Sequence, residues 1–263
     1  MSRPQSGGVR GVWRAAATLA LCACALTSET MPVQVGSQPG RPILFIGNSL
    51  TYVNNLPGTL AALALASGDT LAITTIALPD FAVIDHALGL QGSQAMTAVR
   101  SQKWELVVLQ QGPTPAGLDR DTLILAAKLF DPVVRASGGR IAALMTWPSA
   151  SQQTQYPRLF DETRDTCTLE ASAVNGTCYA AGEAWRAAWA ANPALRLYGG
   201  DGYHPSSLGT YLTAIVLYEH ITGRDARSLP GVGVVAGVRL GDDEATIRLL
   251  QRIAHETVAT WKK

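Results

Sequence analysis

Short apolar runs alternate along the chain with longer segments of helical period. The first run, residues 43–46, is continuously apolar and ends at Gly47, as expected for a strand buried on both faces. Further strands are predicted at 70–77, 104–110, 141–146 and, in a shorter form, 178–181. Helices are predicted at 56–67, 83–99, 122–137, 183–191, 207–222 and 243–261. This alternation predicts a mostly parallel sheet with helices on both faces, which is a three-layer α/β/α sandwich.

Capping and helix-breaking residues set the expected ends of several helices. Ser206 is predicted to cap the helix that follows it, and Gly223 to end that helix. Pro132 is predicted to kink or break the helix at 122–137. Residues 148–177 show no regular pattern, so we expect them to be the least regular part of the domain.

The N-terminal region has the pattern of an export signal. Three arginines precede a twelve-residue apolar run at 15–26, which is too short to span a bilayer. Ala23-Cys24-Ala25 matches an ordinary cleavage site and favours simple export. Leu21-Cys22-Ala23-Cys24 also matches a lipoprotein signal, in which a lipidated Cys24 would tether the protein to a membrane.

These features divide the chain into a signal peptide at 1–25, a polar linker at 26–40 and a domain at 41–263. Removing the signal takes away three arginines and no acidic residue, so the formal net charge falls from +1 to −2. Such a near-neutral chain gives no electrostatic support for a nucleic-acid partner. The remaining 238 residues suffice for one well-buried domain. We expect the protein to act in the periplasm or outside the cell.

Two further cysteines, Cys167 and Cys178, are eleven residues apart in the chain. In an exported protein such a pair is interpreted as a disulfide. A metal site is the rival interpretation, but no histidine lies near them and no C-x-x-C spacing occurs. The glycines at 231, 233 and 237 do not have dinucleotide-binding spacing. No metal and no cofactor are therefore expected.

Two short segments carry candidate chemistry. Residues 47–51 (GNSLT) place Ser49 just past the first strand, at the edge of a parallel sheet where active sites form. Residues 201–206 (DGYHPS) place Asp201 three positions before His204, in a turn that precedes a helix. A serine hydroxyl needs a base to become nucleophilic, and the base is normally a histidine oriented by a carboxylate. The predicted roles are nucleophile for Ser49, general base for His204 and orienting group for Asp201.

With these two segments in this order, residues 41–222 resemble the SGNH/GDSL hydrolase superfamily. The resemblance implies a flavodoxin-like topology and an activity among the esterases, lipases, thioesterases and carbohydrate deacetylases. The G-x-S-x-G elbow of the α/β-hydrolases is absent, because the second glycine is missing.

The resemblance also implies three oxyanion donors: the N–H of Ser49, a backbone N–H after the second strand and an asparagine side chain after the third. The sequence departs from the last two. Asp80 stands where a glycine is usual, and we place the second donor at its N–H, provided that its carboxylate points away from the oxyanion. No asparagine follows the third strand, so Gln110 or Gln111 is the candidate for the third donor. The alternative for both glutamines is a hydrogen-bonding loop anchor.

His86, early in the predicted helix at 83–99, either lines the substrate pocket or is a structural histidine. The sequence as a whole predicts an exported serine esterase that forms an acyl-enzyme on Ser49. The expected substrates are small-molecule or polysaccharide esters, with short-chain or carbohydrate O-acetyl groups. Two alternatives are an extracellular glycan O-acyltransferase and a catalytically inactive binding protein of the same fold.

Overall fold

The structure, a computed structural model, describes residues 39–231, 233–235, 238–240 and 243–261. The predicted signal peptide, and all of the predicted linker except residues 39 and 40, lie outside the described residues. Both stay predictions. Among the described helices, none combines the length and the apolar composition needed to cross a bilayer.

A five-stranded, all-parallel sheet forms the centre of the domain, with strand order β2-β1-β3-β4-β5. Its strands are β1 (Arg41–Gly47), β2 (Leu71–Ala77), β3 (Leu106–Gln110), β4 (Arg140–Leu144) and β5 (Thr177–Tyr179). The five predicted strands are therefore confirmed. A short antiparallel pair, β6 (Gly233–Val235) and β7 (Val238–Leu240), was not predicted.

The helices flank the sheet and are numbered in chain order. They are α1 (Ser49–Tyr52), α2 (Leu56–Ala66), α3 (Val83–Ala87), α4 (Ala95–Ser101), α5 (Leu118–Ala136), α6 (Ala150–Gln155), α7 (Leu159–Ala173), α8 (Ala181–Ala191), α9 (Ser207–Thr222) and α10 (Glu244–Trp261). Short 3₁₀ turns lie at Val53–Asn55, Leu90–Gly92 and Ala226–Ser228.

Alternate residues of β1 enter two separate hydrophobic cores. Ile43 and Phe45 pack in the core that includes α2, α8, α9 and α10. Leu44 and Ile46 pack in the core that includes α3, α4 and α5. All four side chains are buried. Because successive strand residues point to opposite faces, this arrangement confirms the predicted three-layer α/β/α sandwich of flavodoxin-like type.

The predicted helix at 83–99 is wrong as a single element. α3 ends at Ala87, and α4 does not begin until Ala95. Between them, Gly89, Gln91 and Gly92 have φ angles of 69°, 47° and 77°. A backbone in the left-handed region cannot continue a right-handed helix, so the segment divides into two.

Residues 148–177 are also more regular than predicted, since they contain α6 and α7. Ser149 caps α6, with its hydroxyl accepting from Gln152 N at 3.2 Å and the Gln152 side chain accepting from Ser149 N at 2.9 Å. The buried face of α7 includes Thr163, Thr166 and Cys167 in place of large aliphatic residues. That mixed composition hides the helical period in the sequence.

Other helix boundaries agree with the sequence. Ser206 Oγ accepts from Gly209 N at 3.1 Å at the start of α9, and Gly223, with a φ of 71°, ends that helix. By contrast, the break predicted at Pro132 is wrong: α5 begins earlier than predicted, at Leu118, and continues through the proline to Ala136.

Cys167 and Cys178 form the predicted disulfide, with their Cα atoms 5.6 Å apart. The bond joins α7 to β5 instead of closing an irregular loop. It therefore fastens the last strand of the sheet to the helix that packs against it.

A carboxyl group is buried in α7. Glu170 is 3% exposed, and its Oε1 has no hydrogen-bond partner in the described part of the chain. Glu170 lines a cavity of about 10 Å³ together with Gln111, Thr146 and Thr166. Desolvation by burial raises the pKa of the Glu170 carboxyl well above its usual range. Burial therefore favours the neutral form of this side chain in the folded protein.

Glu170→Gln should make the free energy of unfolding less dependent on pH. A carboxyl group whose pKa is raised in the folded state stabilises the fold fully when the pH is below the pKa of the unfolded chain, about 4.3. This stabilisation is lost as the pH rises through the pKa of the folded state. Glutamine mimics the neutral acid and does not ionise. Urea unfolding at pH 4.5 and 8 measures this difference. The free energy of unfolding of the variant, relative to that of the native protein, should be higher at pH 8 than at pH 4.5.

The matched control is Glu256→Gln, which removes an exposed carboxylate from α10. A Glu170→Gln variant whose stability difference from the native protein is the same at both pH values would contradict a buried neutral carboxyl.

Candidate active site

Ser49 lies at the first position of α1, directly after the carboxyl end of β1. Asn48 caps this short helix, since its Oδ1 accepts from Leu50 N at 3.1 Å. The backbone is tightened further by Thr51 N, which donates to Asn48 O at 2.9 Å. The N–H of Ser49 donates to no acceptor in the described part of the chain, because the first residues of a helix lack intrahelical partners.

The second predicted segment brings its histidine to the serine. His204 Nε2 lies 2.8 Å from Ser49 Oγ, and His204 Nδ1 lies 2.5 Å from Asp201 Oδ2. The other oxygen, Asp201 Oδ1, accepts from the backbone N–H groups of Tyr203 and His204 at 3.0 Å each. Serine, imidazole and carboxylate therefore form one continuous hydrogen-bonded chain.

The carboxylate determines which ring nitrogen of His204 carries a proton. The hydrogen bond from His204, followed by that from the Tyr203 N–H, lowers the pKa of Asp201 to about 2. An ionised carboxylate accepts hydrogen bonds only, so Nδ1 holds the proton that faces Asp201. Nε2 is then left as the acceptor for the Ser49 hydroxyl, which is the arrangement that general-base catalysis requires.

The turn that carries His204 is held on two sides. Trp147 Nε1 donates to Tyr203 O at 3.1 Å, and the indole ring of Trp147 stacks on Trp185 at 3.6 Å between centroids. Asn54 Nδ2 donates to Pro205 O at 2.6 Å from the 3₁₀ turn that follows α1. The Asn54 contact links the nucleophile segment directly to the histidine segment, across 151 residues of sequence.

Gln110, at the end of β3, binds the turn at residues 47–51 that carries Ser49, the candidate nucleophile. This turn is called the nucleophile turn below. Gln110 Oε1 accepts from Asn48 N at 2.9 Å and from Thr51 Oγ1 at 2.7 Å, while its Nε2 donates to Asn48 Oδ1 at 3.0 Å. The side chain is 1% exposed. It faces the turn and not the space in front of Ser49, so the structure supports the loop-anchor alternative over the predicted oxyanion donor.

Gln111 is likewise engaged elsewhere. Its Oε1 accepts from Val83 N at 2.9 Å, at the start of α3, and its Nε2 donates to Thr114 Oγ1 at 3.2 Å. Gln111 therefore ties the loop after β2 to the loop after β3. In this structure, both glutamine side chains are hydrogen-bonded to neighbouring loops and turns.

His86 does not line a substrate pocket in this structure. The ring is fully buried, with Nε2 2.7 Å from Gly47 O and Nδ1 2.7 Å from Ser93 Oγ. Burial lowers the pKa of His86, which favours a neutral ring that donates through Nε2 and accepts at Nδ1. Of the two interpretations from the sequence, the geometry supports the structural histidine, since Nε2 binds the Gly47 carbonyl and Nδ1 binds the Ser93 hydroxyl.

Thr51 and Ser93 were not predicted to take part in this network. Thr51 comes four residues after Gly47 in the GNSLT motif. This spacing, about one helical turn, was a usable signal that the Thr51 hydroxyl could contact the turn. The bond from Ser93 to His86 had no signal, because it depends on the irregular segment between α3 and α4.

Close packing makes Gly47 obligatory in this network. A Cβ atom added there would lie 2.5 Å from both Gln110 Oε1 and Thr51 Oγ1. No real Cβ atom tolerates such a distance, so any side chain would displace the Gln110 amide or the turn that it holds.

The loop after β2 contacts the two residues that precede Ser49. Leu78 N donates to Gly47 O at 3.2 Å, and Asn48 Nδ2 donates to Phe81 O at 3.1 Å. Between these two contacts, Asp80 has a φ of 57° and is exposed. Glycine adopts such a left-handed conformation with less strain than aspartate does. The N–H of Asp80 donates to no acceptor within the described residues, so it is free for the role predicted for it.

No family model matches the chain, and no curated protein sequence matches it. Several solved structures share its fold. A DUF4886 family protein from Bacteroides uniformis aligns with a TM-score of 0.69 at 18% identity, covering 85% of this chain and 96% of its own. A protein from Slackia heliotrinireducens, described as a candidate SGNH hydrolase, aligns with a TM-score of 0.58 at 22% identity, covering 69% and 99%.

A third structure, the esterase EstA from Pseudoalteromonas sp. inhibited by monoethylphosphonate, aligns with a TM-score of 0.52 at 13% identity, covering 70% of this chain and 97% of its own. These likenesses show a shared fold. The chain therefore has the fold of the SGNH/GDSL hydrolases, as its two motifs predicted.

Gln110→Leu should destabilise the domain by at least about 2 kcal/mol. It leaves the Asn48 N–H and the Thr51 hydroxyl buried without their acceptor, and each such group costs about 1–3 kcal/mol. Thr51→Val removes a single hydrogen bond at nearly constant volume and should cost about 1 kcal/mol. Chemical denaturation of both variants measures the difference. Equal losses in the two variants would contradict an anchoring role for Gln110.

Proposed function

We propose that this protein is an exported serine esterase that hydrolyses carboxylic esters through an acyl-enzyme on Ser49. The hydrogen-bonded chain from Ser49 through His204 to Asp201, at the carboxyl edge of a parallel sheet, is the observation that carries the proposal. A fold shared with a protein described as an esterase, and with one described as a candidate SGNH hydrolase, supports it.

In the acylation step, Ser49 Oγ attacks the ester carbonyl carbon while His204 Nε2 takes the hydroxyl proton. The carbonyl electron pair moves to oxygen and forms a tetrahedral oxyanion. The oxyanion collapses, the bond to the alcohol oxygen breaks, and His204 returns its proton to the leaving alcohol. Asp201 stabilises the imidazolium that forms between these two transfers, because its carboxylate stays ionised.

In the deacylation step, water replaces the serine as the nucleophile. His204 Nε2 takes a proton from the water as its oxygen attacks the acyl carbon. Collapse of the second oxyanion breaks the bond to Ser49 Oγ, which recovers the proton from His204. The products are a free carboxylic acid and the original serine.

Two backbone N–H groups are available to stabilise both oxyanions. They belong to Ser49 and Asp80, and neither has an acceptor within the described chain. Gln110 contributes indirectly, since it fixes the turn that orients the Ser49 N–H. Donors held in place before the reaction stabilise developing charge without the cost of reorganisation.

The proposed substrates are short-chain or carbohydrate O-acetyl esters, as small molecules or as parts of a polysaccharide. The accessibility of the site supports this choice, since the side chain of Asp201 is 53% exposed and that of His204 is 30% exposed. A site so open to solvent admits a bulky ester and also admits water. Ready access of water favours hydrolysis over transfer to a sugar acceptor.

Export to the periplasm or the extracellular space is part of the proposal. The disulfide between Cys167 and Cys178 supports it, because such bonds persist in oxidising compartments. The N-terminal signal, with or without a lipidated Cys24, is the sequence feature that would direct the protein there.

Ser49→Ala should lower kcat for p-nitrophenyl acetate by at least about 10³-fold, since alanine removes the nucleophile and keeps the fold. Initial rates of nitrophenolate release measure the effect on the purified domain. Ser101→Ala, an exposed serine at the end of α4, is the matched control and should keep the native rate.

Stoichiometric labelling by a p-nitrophenyl alkylphosphonate, followed by peptide mass mapping, identifies the nucleophile independently of turnover. The adduct should form on Ser49 and on no other serine. Native and Ser49→Ala proteins with equal hydrolysis rates and no adduct would contradict the esterase and would favour a binding protein of the same fold.

A further inference from the structure

The carboxylate of Asp80 has no role inside the protein. In the described part of the chain it makes no hydrogen bond and no ion pair, and the residue is exposed. It also occupies a position with a φ of 57°, where glycine would fit with less strain. An aspartate that is costly to the backbone and unused by the fold requires another reason for its presence.

The position of Asp80 beside the candidate nucleophile is fixed by its neighbours. Leu78, two residues before it, donates to Gly47 O, and Phe81, directly after it, accepts from the Asn48 side chain. The loop therefore cannot move away from Ser49 without breaking the contacts that hold the nucleophile turn. The backbone at Asp80 is thereby held close to the turn that carries Ser49.

Two tyrosines, Tyr52 and Tyr203, lie close to Ser49 and His204 respectively along the chain. Burial, and then the negative charge of Asp80, raise the pKa of Tyr52, which ends α1 three residues after Ser49. The same two causes, followed by the charge of Asp201, raise the pKa of Tyr203, whose ring lies 5.2 Å from that of His204. Asp80 is thus within electrostatic reach of both phenols.

We propose that Asp80 determines substrate specificity, and that the site prefers esters carrying a cationic ammonium group over uncharged esters of the same shape. This inference rests on the proposed acyl chemistry at Ser49. An unpaired carboxylate next to the turn that carries Ser49 attracts a cation through its charge. The same carboxylate is unfavourable to a developing oxyanion, and a substrate cation offsets that effect.

The test compares two p-nitrophenyl methylphosphonates that differ only in charge. One carries a choline group, and the other carries the uncharged 3,3-dimethylbutyl group in its place. In each reaction the bond from Ser49 Oγ to phosphorus forms, the bond to nitrophenolate breaks, and His204 takes the serine proton. Nitrophenolate release and intact mass give the labelling rate, divided by each probe's rate with hydroxide.

The native domain should react about tenfold faster with the cationic probe at low ionic strength. Asp80→Asn and Asp80→Gly should both remove this preference and should raise the rate with the neutral probe. The glycine variant relieves the backbone strain as well, so agreement between the two variants assigns the effect to the charge. Asp165→Asn, which removes an exposed carboxylate of α7, should keep the native ratio of rates.

Three results overturn the inference. A native ratio near one, or a ratio unchanged in both Asp80 variants, shows that Asp80 does not select for charge, while labelling of Ser49 in the same experiment leaves the esterase proposal standing. A native protein labelled by neither probe, and indistinguishable from Ser49→Ala, removes the esterase proposal and this inference together.

Discussion

The candidate site depends on the hydrogen bonds between one buried glutamine and the turn that holds the serine. Gln110 accepts from the backbone of Asn48 and from the Thr51 hydroxyl, and it donates to the Asn48 side chain. The contact exists because β1 and β3 pair in register, with Ile46 beside Leu109, so that Gln110 meets Gly47 at the sheet edge. With no side chain at Gly47, the amide comes close enough to bind the turn.

Other parts of the structure reinforce this turn from separate directions. His86 supports the Gly47 carbonyl from the side of α3, and the loop after β2 holds the Asn48 side chain. Asn54 reaches Pro205 and joins the serine turn to the histidine turn. Rigid strands supply the positions and loops supply the reactive groups, as is usual in open parallel sheets. The geometry of Ser49 is therefore determined by contacts from four distant parts of the chain.

The sequence predicted the sheet, most of the helices, the disulfide and the residues of the hydrogen-bonded chain, because each has a local pattern. Apolar runs identify strands, and Asp201 and His204 are three residues apart in one turn. It did not predict how Gln110 and His86 are used, since both side chains could serve either the substrate or the fold. Which of these occurs depends on strand register and burial. α7 was missed because threonine, cysteine and glutamate interrupt the apolar pattern of its buried face, and α6 was missed because none of its residues is buried.

The three side chains of the candidate site come from two segments that are far apart in the chain. Asp201 and His204 form a unit within a single turn, whereas Ser49 is 155 residues away from the histidine. During synthesis the serine emerges 155 residues before the histidine. β1 and the turn that carries Ser49 can therefore form while the imidazole is still missing. The contact between Ser49 and His204 can thus be made only after both segments have been synthesised and have packed together.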